Sequence, residues 1–185
     1  MMYRIEKVLN HNTVMAIHQE DHKEVLIMGK GVGFGRKVAE RIEVRPEDRL
    51  YSLQKYKERG GAKEIVKSIA PEFLEVTNAV LDEAEKIFGK IDRMVLFPLA
   101  DHIAFAVKRI QNHEQISNPL TEDIRVLFHM EFKAAESIRP LLQKQFGIDI
   151  EDDEVGYVAL HIHSAIEDGK VSQAMQMARS VRECI

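Results

Sequence analysis

One glycine-rich stretch, "GKGVGFGRK" (29–37), follows the apolar run "EVLIM" and is the first candidate for a binding site. Glycine-rich loops that follow strands often bind nucleotide phosphates. A dinucleotide fingerprint, however, needs Gly-x-Gly-x-x-Gly leading into a helix, and a P-loop ends in Gly-Lys-Ser/Thr. Here the glycines lie two residues apart, and "RKVAERIEV" after them predicts a strand. The spacing therefore disfavours both kinds of nucleotide site.

Two other interpretations of this stretch stay open from its residues alone. Evenly spaced glycines are typical of a β-turn or bulge region. They are also typical of a loop that nucleic acid approaches closely, where Gly29 and Gly31 leave the backbone bare. Phe34 could then stack on a base, while positive side chains pair with phosphates at Lys30, Arg36 and Lys37.

Two asparagines, Asn10 and Asn12, lie near Lys7 in "KVLNHN". An amide side chain can read a base edge because it carries a donor and an acceptor together. By themselves, two asparagines are more typical of a simple turn. This segment becomes a recognition candidate only in combination with the glycine-rich stretch.

The histidines are the other residues that could do chemistry. A neutral imidazole nitrogen is a nucleophile near pH 7 and can accept a phosphoryl group, which adds about −1.5 to −2 charges. His161 and His163 are two residues apart and should point roughly 200° apart on a helix, so only one of them can join His102. His18 and His22 have a metal-ligand spacing but flank a polar turn, so we predict no metal site.

The composition of the 185 residues is that of an ordinary globular protein, with 45% hydrophobic and 30% charged residues. No apolar run approaches the roughly 18 residues of a membrane helix, and the N-terminus lacks the apolar core of a signal peptide. The single cysteine, Cys184, excludes an internal disulfide. We therefore expect a cytoplasmic chain without membrane insertion, cofactor or catalytic nucleophile, since Gly-x-Ser-x-Gly is also absent.

The elements that position these residues divide into two parts. Residues 1–56 carry ten basic and eight acidic residues, and short β-rich segments recur in them at intervals of about ten residues. This pattern predicts a small antiparallel sheet or barrel, which at this size is marginally stable alone and favours a dimer. The segment "KERGGAK" (57–63) predicts a flexible linker.

The remaining residues are more acidic and have a helical period. They predict a bundle of about five helices over residues 64–170, so that the fold class is α+β with a β domain before an all-α domain. Pro71 should begin a helix, Pro140 should kink a long one that starts near "NPLTED", and Gly147 should end it. "DIEDDE" places acids at the start of the next helix. Residues 171–185 are expected to be a linker or the start of a further domain.

These two parts in this order resemble the phosphotransferase-regulated transcriptional antiterminators of the BglG/SacY family. "KVLNHN" and "GKGVGFGRK" resemble the family's RNA-binding co-antiterminator domain, and "ADHIAFAVKR", "NPLTEDIRVLF" and "DDEVGYVALHIHSA" resemble its first regulatory domain. The sequences "GKGVGFG" and "HIHSA" are most similar to those of glucose- or sucrose-type members. In two places the chain departs from the pattern: His11 stands where several relatives have asparagine, and Lys30 stands where others have arginine.

The resemblance implies a homodimer that binds an RNA hairpin in a leader transcript and prevents termination. It places the RNA contacts at motif positions: Lys7, Asn10, Asn12, Gly29, Lys30, Gly31 and Phe34. It places the phosphoryl acceptors at His102 and His161, with a sugar-specific transporter component of the phosphotransferase system as donor. The family also has a second regulatory domain, which would follow the end of this chain. The chain would thus be a substrate of phosphoryl transfer and not an enzyme.

Two function classes compete with this interpretation. A ligand-sensing regulator of DNA would need a DNA-reading element, and no helix-turn-helix pattern is visible in residues 1–56. A protein-interaction module would use the glycine-rich stretch only for its structure. Binding of a short RNA hairpin, of the same sequence as DNA and of a scrambled hairpin would separate the three classes.

Overall fold

The computed structural model describes residues 1–53, 61–114 and 116–166. Within these residues the chain divides after residue 71 into two compact units, each with its own core. The predicted tail, 171–185, and most of the predicted linker lie outside the described residues. The α+β class, with a β unit before a helical one, is confirmed.

The first unit is a five-stranded antiparallel sheet in the order β4-β1-β2-β3-β5. The strands are β1 (Met2–Asn10), β2 (Thr13–His18), β3 (Glu24–Met28), β4 (Arg41–Glu43) and β5 (Arg49–Ser52), and one short helix, α1 (Ala62–Ser68), follows them. The start of β1 alternates between exposed and buried residues, as expected for a strand with one face on the core. The core contains eight buried side chains, those of Tyr3, Ile5, Val14, Ala16, Val25, Ile27, Val32 and Ile42.

The strand predicted over "VAERIEV" is shorter in the structure. Only Arg41–Glu43 is a strand, because Ala39 has a positive φ of 72° that no extended residue adopts. Ala39 and Glu40 instead exchange backbone hydrogen bonds with Ile5 at 2.8 Å each. The chain thus enters β4 through a turn that lies against β1.

The second unit contains six α-helices among its described residues. They are α2 (Pro71–Phe88, at the boundary between the units), α3 (Leu96–Gln111), α4 (Thr121–Leu127), α5 (His129–Ala135), α6 (Ile138–Phe146) and α7 (Asp152–Ile166), with a 3₁₀ turn at Arg93–Val95. Helix α7 lies at the centre and packs against α3, α4 and α5. Its buried residues occur on more than one face, which is typical of a central helix.

Some helix boundaries match the prediction and one long helix does not. Pro71 begins α2, and Gly147 ends α6 in the left-handed conformation, with φ 66° and ψ 31°. The helix predicted from "NPLTED" to Gly147 is divided into α4, α5 and α6. Phe128 separates α4 from α5, because it leaves helical geometry at φ −119° and ψ 51°, whereas Glu136 and Ser137 between α5 and α6 keep right-handed helical angles. Pro140 does not kink a helix but lies in the first turn of α6, where its missing N–H leaves no bond unmade.

None of the helices in the described ranges is long and apolar enough to cross a membrane.

Candidate functional site

The turn between β1 and β2 is bonded to the loop that follows β3. We call residues 10–12 the asparagine turn and residues 29–35 the glycine loop. The side chain of Asn12 accepts a hydrogen bond from the Gly31 N–H at 2.8 Å. The N–H groups of Gly29 and Gly33 donate to the backbone carbonyls of Asn12 and His11, at 3.0 and 2.9 Å. Three hydrogen bonds therefore make one surface of two segments that are separate in the sequence.

The glycines permit this close approach. A Cβ atom on Gly33 would lie 2.2 Å from the carbonyl oxygen of Asn10, and one on Gly29 would lie 1.9 Å from a carboxylate oxygen of Asp48. Neither position has room for a side chain. Gly31 and Gly35 meet no such neighbour but have positive φ angles of 72° and 68°. Along the loop, glycines that have no room for a Cβ atom alternate with glycines that have a positive φ angle. These two requirements explain the even spacing, which matches no nucleotide-binding fingerprint.

Asn10 and Asn12 both take part in the turn itself. The carboxamide oxygen of Asn10 accepts a hydrogen bond from the Asn12 N–H at 2.9 Å, as in an Asx-turn. The oxygen of Asn12 is occupied by Gly31, so its NH₂ group is the part left for a ligand. The residues are therefore both a turn and a recognition candidate, and the two interpretations of this segment do not exclude each other.

The glycine loop is also held from its other side by Arg45 and Asp48, which the sequence did not indicate. The Arg45 guanidinium donates to the backbone carbonyl of Lys30 at 2.8 Å and to both carboxylate oxygens of Asp48, at 2.8 and 3.1 Å. The Asp48 side chain is 1% exposed, so this is a buried carboxylate whose charge is compensated. The spacing of three residues between Arg45 and Asp48, around a proline, was the available signal, but it predicted only a turn.

The predicted ligand-contacting side chains of this unit are mostly exposed. Phe34 is 68% exposed, which is unusual for a phenylalanine, and its ring lies edge-on to His11 with 5.1 Å between centroids. The four basic side chains Lys7, Lys30, Arg36 and Lys37 are exposed as well. Arg36 forms an ion pair with Glu40 at 3.6 Å, an acid just beyond the stretch. The surface thus combines an aromatic plane with positive charge around bare backbone.

In the second unit, His102 on α3 lies against His161 on α7. The ring centroids are 5.2 Å apart, and the Tyr157 ring lies 5.7 Å from His102. We call His102 and His161 the histidine pair. His163 points elsewhere: its Nδ1 lies 3.4 Å from Glu131, and its ring packs on Phe128. Only one histidine of "HIH" joins His102, as the helical spacing predicts.

Beneath the histidine pair lies a buried acid that sequence reasoning missed. One carboxylate oxygen of Glu154 lies 3.1 Å from His102 Nε2, and the other accepts a hydrogen bond from Arg109 at 2.7 Å. Burial opposes ionisation of Glu154, but these hydrogen bonds outweigh it and hold the pKa of the carboxyl below its usual value. From the sequence, Glu154 is only one of several acids at the start of a helix. The available signal was a spacing of seven residues, which places two side chains on the same face of a helix. Glu154 and His161 have this spacing, and so do His102 and Arg109.

His161 is held in its neutral form. Burial, and then the charge of a protonated His102, lower the pKa of His161 to about 4, against the opposing hydrogen bond to the Tyr157 carbonyl. The ring is therefore uncharged near pH 7, the state in which an imidazole nitrogen is nucleophilic.

The "NPLTED" segment fixes the start of α7. Asn118 and Thr121, both buried, donate hydrogen bonds to the Asp153 side chain at 3.1 and 2.6 Å, from the Asn118 backbone and the Thr121 hydroxyl. The Asn118 amide also donates to the Asp153 carbonyl at 3.3 Å. Because Glu154 follows directly, this anchoring sets where the acid meets α3.

The two units define one class of protein. Residues 3–60 match the CAT RNA binding domain, and residues 75–165 match the PRD domain. The crystal structure of GlcT CAT-PRDI is similar with a TM-score of 0.76 and 30% sequence identity, covering 90% of this chain and 99% of that one. The chain therefore belongs to the family that joins a CAT RNA-binding domain to a PRD domain, and the resemblance to the BglG/SacY antiterminators is confirmed.

Curated relatives extend the comparison. The GlcA/glcB genes antiterminator of Staphylococcus carnosus (strain TM300) is 32% identical over 170 residues, which are 90% of this chain and 58% of that protein. The beta-glucoside operon antiterminator of Dickeya chrysanthemi is 24% identical over 183 residues, 98% of this chain and 64% of that protein. The chain spans less than two thirds of the length of either relative.

Proposed function

We propose that the chain is an RNA-binding transcriptional antiterminator whose first unit binds a hairpin in a leader transcript. One observation carries the proposal: the asparagine turn and the glycine loop are hydrogen-bonded into one surface beside the exposed ring of Phe34. Membership of a family whose relatives are named antiterminators supports it. Such a protein acts where the transcript is made, which we propose is the cytoplasm.

Each group on this surface has a proposed role in RNA binding. Phe34 supplies a stacking plane for an unpaired base, an interaction of about 1–3 kcal/mol that tolerates any base. The NH₂ group of Asn12 donates to an acceptor on a base edge. The exposed positive charges of Lys7, Lys30, Arg36 and Lys37 pair with phosphates. The glycines leave room for the RNA backbone. Lys30 supplies a point charge where relatives have the planar fork of arginine.

The test is a gel-shift titration of the chain with a short asymmetric RNA hairpin, the same sequence as DNA, and a scrambled hairpin. Phe34→Ala should weaken binding of the specific hairpin by about 5- to 150-fold, as expected for the loss of one stacked base. Val38→Ala is the matched control, because Val38 is 65% exposed and lies in the same region. Equal affinity for RNA and DNA, or equal losses in the two variants, would refute RNA recognition by this surface. Absence of all nucleic-acid binding would favour a protein-interaction module.

We further propose that His102 and His161 accept phosphoryl groups from a sugar-specific transporter component of the phosphotransferase system. The chain is then the substrate of this transfer and catalyses no reaction itself. The neutral state of His161 and the contact of the two rings support this role. A phosphoryl group would add about −1.5 to −2 charges beside the carboxylate of Glu154, where like charges repel. We propose that this repulsion disfavours the homodimer that binds the hairpin and so shifts the population away from that dimer.

A charge substitution tests this regulation. His102→Asp should weaken hairpin binding, whereas His102→Ala and the uncharged His102→Asn, which matches aspartate in size, should not. Circular dichroism must show that all three variants retain their helices, because an aspartate at this position faces Glu154. Analytical ultracentrifugation should show less dimer for His102→Asp alone. Equal RNA affinity of the aspartate and asparagine variants would count against control by charge.

A further inference from the structure

The hydrogen bonds of the histidine pair determine which ring nitrogen of each histidine carries its proton. Nδ1 of His161 lies 2.9 Å from the backbone carbonyl oxygen of Tyr157. A carbonyl oxygen can only accept, so Nδ1 must carry the proton and donate it. The lone pair of the neutral His161 ring is then on Nε2.

His102 has the opposite arrangement. Its Nε2 lies 3.1 Å from a carboxylate oxygen of Glu154, whose other oxygen accepts from Arg109. An ionised carboxylate has no proton to give, so Nε2 of His102 donates, and in the neutral ring the lone pair is then on Nδ1. Within residues 1–53, 61–114 and 116–166, no hydrogen bond engages Nδ1 of His102 or Nε2 of His161.

We infer that Glu154, held by Arg109, is a positioning residue that fixes the Nε2–H tautomer of His102, so that the two histidines accept phosphoryl groups on opposite ring nitrogens, His102 on Nδ1 and His161 on Nε2. The acceptor assignment rests on the phosphoryl acceptance proposed above. The tautomer assignment is independent of it, because it concerns the unmodified protein.

The transfer step then needs no proton movement. The Nδ1 lone pair of His102 attacks the phosphorus of a phosphohistidine on the donor protein, a new P–N bond forms, and the donor's P–N bond breaks with its electron pair returning to the donor ring. Each ring keeps the proton on its other nitrogen throughout. The His102 ring thereby acquires imidazolium character, and the adjacent negative charge of Glu154 stabilises it, as the acid of a catalytic triad stabilises its histidine. His161 has only a neutral carbonyl in the corresponding place.

The tautomers are measured directly by long-range ¹H–¹⁵N correlation spectra of the unmodified chain at a pH of about 8, where a histidine of ordinary pKa is neutral. His102→Asn and His161→Asn assign the signals. We expect the Nε2–H form for His102 and the Nδ1–H form for His161. The same tautomer on both rings, or the reverse pattern, would overturn the inference.

Glu154→Gln tests the positioning role. The single amide oxygen would accept the hydrogen bond from Arg109, which can only donate, so the amide NH₂ group would face His102. Because that NH₂ group can only donate, Nε2 of His102 would have to accept with its lone pair. We therefore expect His102 to change to the Nδ1–H form, with a change in the tautomer ratio of about 10- to 150-fold, the equivalent of one charge-assisted hydrogen bond. Glu131→Gln, the corresponding change at the partner of His163, should leave His102 unaltered. An unchanged His102 tautomer in Glu154→Gln would refute the role of Glu154.

The acceptor nitrogens are tested by phosphorylating the chain with phosphoramidate, from which ammonia leaves, and with a phosphohistidine-bearing donor protein. His161→Asn should carry phosphate on Nδ1 of His102, and His102→Asn should carry it on Nε2 of His161, as distinguished by isomer-specific antibodies and ³¹P spectra. Phosphate on Nε2 of His102 would overturn the acceptor assignment. Absence of phosphate from both histidines would overturn the proposed phosphoryl acceptance and the acceptor assignment with it, while the spectra of the unmodified chain still decide the tautomers.

Discussion

Gly33→Ala should separate the glycine loop from the asparagine turn. The new Cβ atom would lie 2.2 Å from the Asn10 carbonyl oxygen, whereas real Cβ contacts are essentially never shorter than 3.0 Å. The two segments must therefore move apart by nearly 1 Å. That movement takes the three hydrogen bonds of Gly29, Gly31 and Gly33 to the asparagine turn, now 2.8 to 3.0 Å long, beyond normal bonding distance. At about 0.5–1.5 kcal/mol each, their loss should destabilise the loop locally by about 2–4 kcal/mol.

Hydrogen exchange of the loop amides is the appropriate assay, because it reports local opening without requiring that the two units unfold together. Protection at Gly29 and Gly31 should fall by about 30- to 1,000-fold in Gly33→Ala, the same free energy expressed as a ratio. Gly35→Ala is the matched control: its φ is 68°, nothing lies within 4 Å of its Cβ position, and it should cost only about 1–2 kcal/mol of left-handed strain at its own position. Equal protection of Gly29 and Gly31 in the two variants would refute the close-approach reasoning. RNA affinity should fall in parallel with the loss of protection.

Further variants test the supports of the two sites. Asp48→Asn should weaken hairpin binding by releasing Arg45 from the glycine loop, whereas Glu47→Gln, an exposed neighbour of the same guanidinium at 3.6 Å, should not; equal effects would contradict the buried clamp. Between pH 6.5 and about 4 the unfolded chain binds a proton at His161 that the folded chain does not, so stability of the helical unit should fall with decreasing pH by about 3 kcal/mol at most. Urea unfolding at several pH values, followed by circular dichroism, should show that the stability of His161→Asn depends less steeply on pH. An identical pH dependence in the two proteins would contradict a depressed pKa of His161. Asn118→Ala should destabilise the same unit by about 1–3 kcal/mol in that assay, because it removes a buried hydrogen-bonding group at the start of α7, and an unchanged midpoint would contradict this anchoring.

The elements that depend on local sequence were predictable. The strands follow from short β-rich segments with polar turns between them, and the starts and ends at Pro71 and Gly147 follow from backbone preferences of single residues. The division of the long helix at Phe128 was not predictable, because "VLFHME" contains neither glycine nor proline and has a continuous helical pattern. Both α4 and α5 pack against α7, and packing between helices leaves no local signal in the sequence.

The candidate site residues were predictable as types, but their supports were not. Histidine is a nucleophile, and the helical spacing predicted that only one of His161 and His163 can join His102; the family resemblance selected His161, and the structure brings that ring against His102. Glu154, in contrast, meets His102 across 52 residues and Arg109 across 45, so its role arises only when α3 and α7 pack. The roles of these residues in RNA binding and phosphoryl transfer stay predictions.

The two ends of the Asn12 carboxamide group, its oxygen and its NH₂ group, have different surroundings. Its oxygen accepts the hydrogen bond of the Gly31 N–H and so maintains the fold, and its NH₂ group is available for the RNA contact that we propose. A replacement at this position therefore changes both the shape of the loop and the RNA contact that we propose for Asn12, so a single substitution measures the two effects together. If this surface selects an RNA as we propose, a change of its selectivity through Asn12 requires a new partner for the Gly31 N–H as well as an altered base contact.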